Sequence, residues 1–159
     1  MTKTEPRFLV DRMLGKVSRW LIILGYDSEY PGPERSDEDL VEQAVREGRI
    51  LLTRDAKIPE KRGLKKIFVG EQRFEGQLRH VLRETGLTPD RARLFSRCTN
   101  CNKALNKISR EAALPLVPQL VKDLPTEFFQ CGGCRRVYWA GSHTQKTIDK
   151  LERVGLLPK

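Results

Sequence analysis

All four cysteines lie in the C-terminal part of the chain, as Cys98-Thr99-Asn100-Cys101 and Cys131-Gly132-Gly133-Cys134, with 29 residues between the pairs. Two C-x2-C knuckles offer four thiolates, the donor set of a tetrahedral zinc site. Gly132 and Gly133 suit the tight turn that a knuckle needs. Arg97, Lys103, Arg135 and Arg136 flank the pairs and favour the thiolate form. The spacer exceeds the usual length of about 15–20 residues, so it is expected to carry a loop or a strand pair of its own. Two disulfides, or a redox C-x-x-C, are the competing readings. A redox pair normally occurs once, at the start of a helix that follows a strand, and disulfides are disfavoured in a cytosolic protein. With every position filled by protein, a zinc ion here would fold the module and not catalyse.

The N-terminal part is patterned differently. "RFLV" (7–10) is a short apolar run ending at Asp11, and Leu14, Val17, Leu21 and Leu24 then recur at helical spacing, with Gly25 at the expected C-terminal cap. "YDSEY" (26–30) alternates like a half-buried strand and is broken by "PGP" (31–33). Ser36 is an N-cap candidate before "DEDLVEQAVREG", whose first-turn acids favour the helix macrodipole. "RILLT" (49–53) and "KIFVG" (66–70) read as strands buried on both faces, and "QLRHVLRETG" (77–86) as a helix ending in glycine. Strands alternating with helices predict right-handed βαβ units around a mainly parallel sheet. Beyond about residue 95, cysteine pairs, prolines and short irregular runs replace the alternation. The expected domains are therefore 1–95, an α/β domain with its sheet flanked by helices, and 96–159, a small four-cysteine zinc ribbon.

A chain of 159 residues with 38% hydrophobic and 32% charged residues has the composition of a soluble globular protein. It has no run of about 18 apolar residues to span a membrane. "MTKTEPRFLVDRM" lacks the apolar stretch and cleavage site of a signal peptide, so a cytoplasmic location is expected. The net charge of +9 is uneven: residues 1–95 hold 19 Lys and Arg against 16 Asp and Glu, and residues 96–159 hold 11 against 5. A basic C-terminal part can attract phosphate backbones by counterion release; charge alone equally describes a basic protein without such a partner.

Asp11 and Asp55 follow predicted parallel strands, and Asp37 opens the helix leading into "RILLT". The carboxyl ends of such strands share one edge, where sites form. Carboxylates gathered there repel unless neutralised, and a hard divalent cation neutralises them through oxygen ligands. Each aspartate also has a plain structural role open to it: a cap for Asp11, a first-turn acid for Asp37, a turn for Asp55.

Four stretches together, "FLVDRMLGKVSRWLIILGYD" (8–27), "SDEDLVEQAVREGRILLTRD" (36–55), "RCTNCNKAL" (97–105) and "FFQCGGCRRVYWAGSH" (128–143), resemble the PIN-like RNase domain family named after the C-terminal domain of the Mut-seven exonuclease. The resemblance runs in order from residue 8 to about 151, and its second half is the more specific. It implies a PIN-like nuclease core with a fused zinc ribbon. It also implies ribonuclease activity, in which Asp11, Asp37 and Asp55 hold Mg²⁺ or Mn²⁺ and position water against an RNA phosphodiester. PIN-type sites commonly carry a fourth acid, for which Asp39, Glu71 and Glu75 are the candidates. RNA is the implied partner, and PIN-like domains often pair, which leaves a homodimer open. The rival readings are a nucleic-acid-binding module without turnover and a zinc-stabilised interaction protein of an RNA-processing assembly.

Around these positions, Arg12, Lys16 and Arg54 are candidates for phosphate contact or for ion pairing with the site aspartates. Tyr138 and Trp139 beside Arg135 and Arg136 can stack bases and hold phosphates, or pack the ribbon. His143 is a candidate substrate-binding residue, with a hydrogen-bonded structural role expected instead. Trp20 is expected in the core, and His80 as an ordinary surface or core histidine.

Overall fold

The computed structural model describes residues 4–159, so residues 1–3 of the expected first domain lie outside it. The chain divides into two compact units, one ending at Thr88 and one running Pro89–Lys159. No helix among the described residues is long and apolar enough to cross a membrane.

The first unit is an α/β fold with a four-stranded parallel sheet. Its strands are β1 (Phe8–Val10), β2 (Ser28–Glu29), β3 (Ile50–Thr53) and β4 (Lys65–Phe68), in the order β2-β1-β3-β4. Three helices accompany them: α1 (Gly15–Ile23), α2 (Asp37–Glu47) and α3 (Phe74–Thr85). Right-handed crossovers to the left of β1 and then to its right place α1 and α2 on opposite faces. On one face Leu9 and Leu51 pack with Leu40, Val41 and Ala44 of α2 and with Ile58. Adjacent strand residues point the other way, and Phe8, Val10 and Leu52 are as fully buried as Leu9 and Leu51. That double burial is why β1 and β3 read as unbroken apolar runs; β4, expected to be buried on both faces, is an edge strand with Lys65, Lys66 and Phe68 exposed. On α1, Trp20 stacks on Phe74 of α3 with ring centroids 5.4 Å apart. It is half-buried rather than enclosed.

Local signals set the helix ends. The Ser36 hydroxyl accepts from the Asp39 N–H at 3.1 Å, capping α2. Gly48 closes the same helix in the left-handed region, at φ 67°. α3 begins at Phe74, earlier than the periodicity from Gln77 indicates. β2 is shortened to two residues.

The second unit holds an antiparallel sheet, β5 (Leu105–Ile108), β6 (Phe128–Cys131) and β7 (Val137–Trp139), in that order. The long spacer between the cysteine pairs carries β5, a short helix α4 (Arg110–Ala113) and two 3-10 turns. It builds a small core of Ala113, Val117, Val121 and Phe128, with Ile108, Val137 and Trp139 packed against it. A C-terminal helix, α5 (Ser142–Arg153), replaces the irregular runs expected there. Leu151 is buried, and the chain folds back so that the N–H groups of Leu156 and Leu157 donate to its carbonyl at 2.9 and 3.2 Å. Arg91 holds this end by donating to Glu152 and, at 2.7 Å, to the Pro158 carbonyl.

Candidate functional site

In a sheet of order β2-β1-β3-β4 the chain moves first to one side of β1 and then to the other, so the crevice outside the carboxyl ends of β1 and β3 is the switch point. An open cleft of about 430 Å³ lies where that rule puts it, lined by Asp11, Asp37 and Asp55 together with Arg12, Met13, Arg35 and Arg54. Three separate segments deliver the acids: the exit of β1, the first residue of α2 and the exit of β3.

Asp11 is buried and firmly held. One carboxylate oxygen accepts from the Met13 N–H at 2.9 Å, capping a 3-10 turn. The other accepts from the Thr53 hydroxyl at 2.7 Å and from the Arg54 N–H at 2.8 Å. Thr53 also takes the Asp55 N–H at 2.9 Å, so one buried hydroxyl ties both strand ends together. Asp55 accepts from the Lys57 N–H at 2.8 Å. That bond first, and a hydrogen bond from the Asp37 carboxyl second, hold Asp55 below the usual carboxylate range. Asp37 moves the opposite way, raised first by burial and then by the bond to Asp55 and the charges of Asp55, Glu38 and Asp11. The opposed shifts come from two carboxyls lying beside each other, an oxygen pair whose repulsion a hard cation can neutralise. The plain structural roles of all three aspartates are present as well, and the cleft uses the same side chains.

The neighbouring residues divide. The Arg54 guanidinium donates to the Glu71 carbonyl, which also accepts from the Gln77 side-chain amide at 2.7 Å. Glu71 itself pairs with His80 at 2.5 Å. Burial pushes the Glu71 carboxyl up, but the His80 bond, its own backbone N–H and the charges of His80 and Arg83 together outweigh it and leave it lowered. None of Asp39, Glu71 and Glu75 is among the residues lining the cleft. Lys16 lies over the Phe74 ring, 4.3 Å from its centroid, away from the cleft lining. Arg35 and Met13 were absent from the sequence reading. An arginine in a Pro-rich loop and a methionine in a helix-like run give no periodic signal of a shared cleft.

In the second unit the four cysteine sulfurs all lie within 4.8 Å of one another. Among the described residues no other group of three or more potential ligands is so closely gathered; the three aspartates line their cleft more loosely. Cys98 and Cys134 sulfurs are 3.6 Å apart, and those of Cys101 and Cys131 3.1 Å. Zn–S bonds of about 2.3 Å in a tetrahedron require sulfurs about 3.8 Å apart, so the cluster fits a metal ion such as zinc. The two knuckles repeat one backbone design. Cys98 and Cys131 N–H groups donate to the carbonyls of Lys103 and Arg136, at 2.8 and 3.0 Å. Asn102 and Arg135 N–H groups donate back to Cys98 and Cys131, at 2.8 and 3.1 Å. The Asn100 and Gly133 N–H groups point at the Cys98 and Cys131 sulfurs, at 3.4 and 3.3 Å.

The turn is therefore made differently from the sequence expectation. The residues in the left-handed region are Asn102 (φ 66°) and Arg135 (φ 67°), one after each knuckle, and not Gly132 or Gly133. Gly133 matters for space: a Cβ there would meet the Lys103 side chain at 2.7 Å. Cys131 is lowered to about 6: burial opposes the shift, and the bond from Cys101 and the Cys134 and Gly133 N–H groups outweigh it. Cys101 is pushed up to about 11, chiefly by donating to Cys131. A thiol beside a ready thiolate is the protonation pattern a metal converts to thiolates throughout.

Tyr138 hydrogen-bonds the Cys98 sulfur at 3.0 Å, and Trp139 packs on the small core, so both side chains serve the ribbon in this structure. Arg135 and Arg136 are exposed. His143 is exposed in the first turn of α5, its carbonyl accepting from Thr147 at 2.9 Å.

The chain thus joins a parallel α/β unit with an acidic switch-point cleft to a four-cysteine ribbon. The chain belongs to the Mut7-C RNAse domain family, whose model matches residues 6–151. Neither the curated proteins nor the solved structures contain a significant match. Family membership carries a nuclease-type function with RNA as the substrate class.

Proposed function

We propose that the first unit is a PIN-like, metal-dependent ribonuclease domain and that Asp11, Asp37 and Asp55 hold its Mg²⁺ or Mn²⁺. The observation that carries this reading is the delivery of three aspartates, from three separate segments, into one switch-point cleft of an RNase-family chain. Bound there, a hard divalent cation supplies an activated water and offsets charge on the phosphodiester. Asp11 acts as the rigid ligand, since three protein hydrogen bonds fix both of its oxygens. Asp55 is oriented by the Lys57 N–H. Asp37, raised by burial and by the Asp55 carboxyl beside it, would complete the ligand set from the first residue of α2. Arg54, tethered to the Glu71 carbonyl, keeps positive charge at the cleft without needing an ion pair to Asp55.

In the second unit we propose that Cys98, Cys101, Cys131 and Cys134 hold one structural Zn²⁺, and that the exposed, basic second knuckle helps to bind RNA. The three protein donors that already occupy Asp11 also favour, as a second reading, an RNA-binding module without turnover. One assay separates the two. The zinc-loaded chain is incubated with end-labelled RNA and Mg²⁺ or Mn²⁺: products that disappear in Asp55→Asn support hydrolysis, and salt-sensitive binding without products supports the module.

A further inference from the structure

The cleft contains two side chains that the proposed metal chemistry does not use. Met13 is 62% exposed and lines the cleft next to Asp11. Its position is preorganised: Asp11 caps its turn, and the Tyr30 hydroxyl donates to the Arg12 carbonyl of that turn at 3.3 Å. Arg35 lines the same cleft, immediately before the Ser36 cap. Among the described residues its guanidinium makes no hydrogen bond or ion pair, whereas Arg54 is committed to a backbone carbonyl. A free guanidinium matches a phosphate through its fork of donors. An exposed apolar side chain in the same cleft matches the face of a base that is no longer stacked on its neighbours.

We propose that Met13 and Arg35 form a subsite for one unpaired nucleotide of the substrate strand, Arg35 gripping its phosphate and Met13 contacting its base, so that the cleft takes single-stranded RNA in preference to duplex. The inference rests on the ribonuclease reading for its substrate class. The size agrees: about 430 Å³ is near the low end of the 300–1,000 Å³ of small-ligand sites, suited to one nucleotide and not to a helix. A duplex keeps its base faces stacked inside and offers Met13 nothing to contact.

The test is equilibrium binding of a labelled single-stranded RNA oligonucleotide, and of the same sequence as duplex, to the full zinc-loaded chain without added Mg²⁺ or Mn²⁺. Wild type is expected to bind the single strand more tightly. Arg35→Ala should weaken that binding roughly tenfold and flatten the dependence of log K on log salt by about 0.7 for the one lost phosphate contact. Arg35→Lys should restore part of the affinity. Met13→Ala should weaken single-strand binding several-fold and leave the salt slope unchanged. Duplex binding should be insensitive to all three. Both positions lie outside the cores, and unchanged melting temperatures will show that the variants fold. Equal affinity for duplex and single strand, or an unaltered Arg35→Ala, would overturn the proposal. Cleavage is measured separately with Mn²⁺. A chain that binds as described but never cuts would sink the ribonuclease reading and leave the subsite standing; one that cuts normally in both alanine variants would do the reverse.

Discussion

Asp11 accepts three hydrogen bonds from the protein, while Asp55 is held by the Lys57 N–H and its bond with Asp37. Their amide variants should therefore separate folding from chemistry. In Asp11→Asn one carboxylate oxygen becomes an NH₂ facing the Met13 N–H, or the Thr53 hydroxyl and the Arg54 N–H. The stability loss should be about 1–3 kcal/mol, the cost of an unmade buried hydrogen bond. Asp55→Asn keeps an acceptor for Lys57 and, at a half-buried position outside the core, should melt close to wild type. Thermal or denaturant melts of the two variants check this difference. Tyr138 offers a second residue-scale test, because its hydroxyl reaches the Cys98 sulfur. Tyr138→Phe should keep the fold and lower metal affinity about tenfold, the usual effect of losing such an outer partner. Competition with a chromophoric chelator reads that loss directly.

Arg49 joins several elements at the opposite end of the sheet. Only 7% exposed, it donates to Asp27 at 2.7 Å, to Glu47 at 2.8 Å and to the Phe8 carbonyl at 3.1 Å. Arg49→Met should destabilise the first unit by roughly 2–3 kcal/mol, below the full cost of breaking a buried pair because its partners are partly wet. The pH dependence follows from Glu47, which the Arg49 bond holds below its ordinary 4.5 against the opposing effect of burial. A lowered carboxylate contributes stability that is complete above 4.5 and is lost as pH falls through its folded value. Acid melts should thus show wild type losing stability below about pH 4.5 more steeply than Arg49→Met.

Much of this was legible at the element scale. β1 and β3 announce themselves as apolar runs because they are buried on both faces, and Ser36 and Gly48 mark α2 because caps are local chemistry. Asp11 and Asp55 were legible for the same reason, since strand ends of a parallel sheet share an edge. α5 was not, because "SHTQKTIDKLER" has only Ile148 and Leu151 as an apolar stripe and gains its stability from the returning Leu156 and Leu157. The knuckle turns misled through composition: paired glycines drew the eye, yet Arg135 and Asn102 take the left-handed backbone. Arg35 and Met13 come to line one cleft only through tertiary folding, which no spacing encodes.

At the scale of the molecule, each unit has its own core, one between sheet and α2, the other around Phe128. The second core is small, and the zinc proposed for its four cysteines would supply folding energy to such a segment. Calorimetry of the zinc-loaded chain should show two transitions, of which a strong chelator lowers only that of Pro89–Lys159. A single transition shifting as a whole would mean the units fold cooperatively. The net charge of +9 should make RNA affinity fall with salt in every variant.

The central claim is that the aspartate cleft hydrolyses RNA with a divalent cation. Its most direct measurement is the cleavage rate of a labelled single-stranded RNA by the zinc-loaded chain, with and without Mn²⁺, in wild type and in Asp55→Asn. The account predicts cleavage only with Mn²⁺. It also predicts a loss of at least about a hundredfold in Asp55→Asn, the scale of removing one group that stabilises charge developing in the transition state. Cleavage that persists without the cation, or survives undiminished in Asp55→Asn, would contradict it.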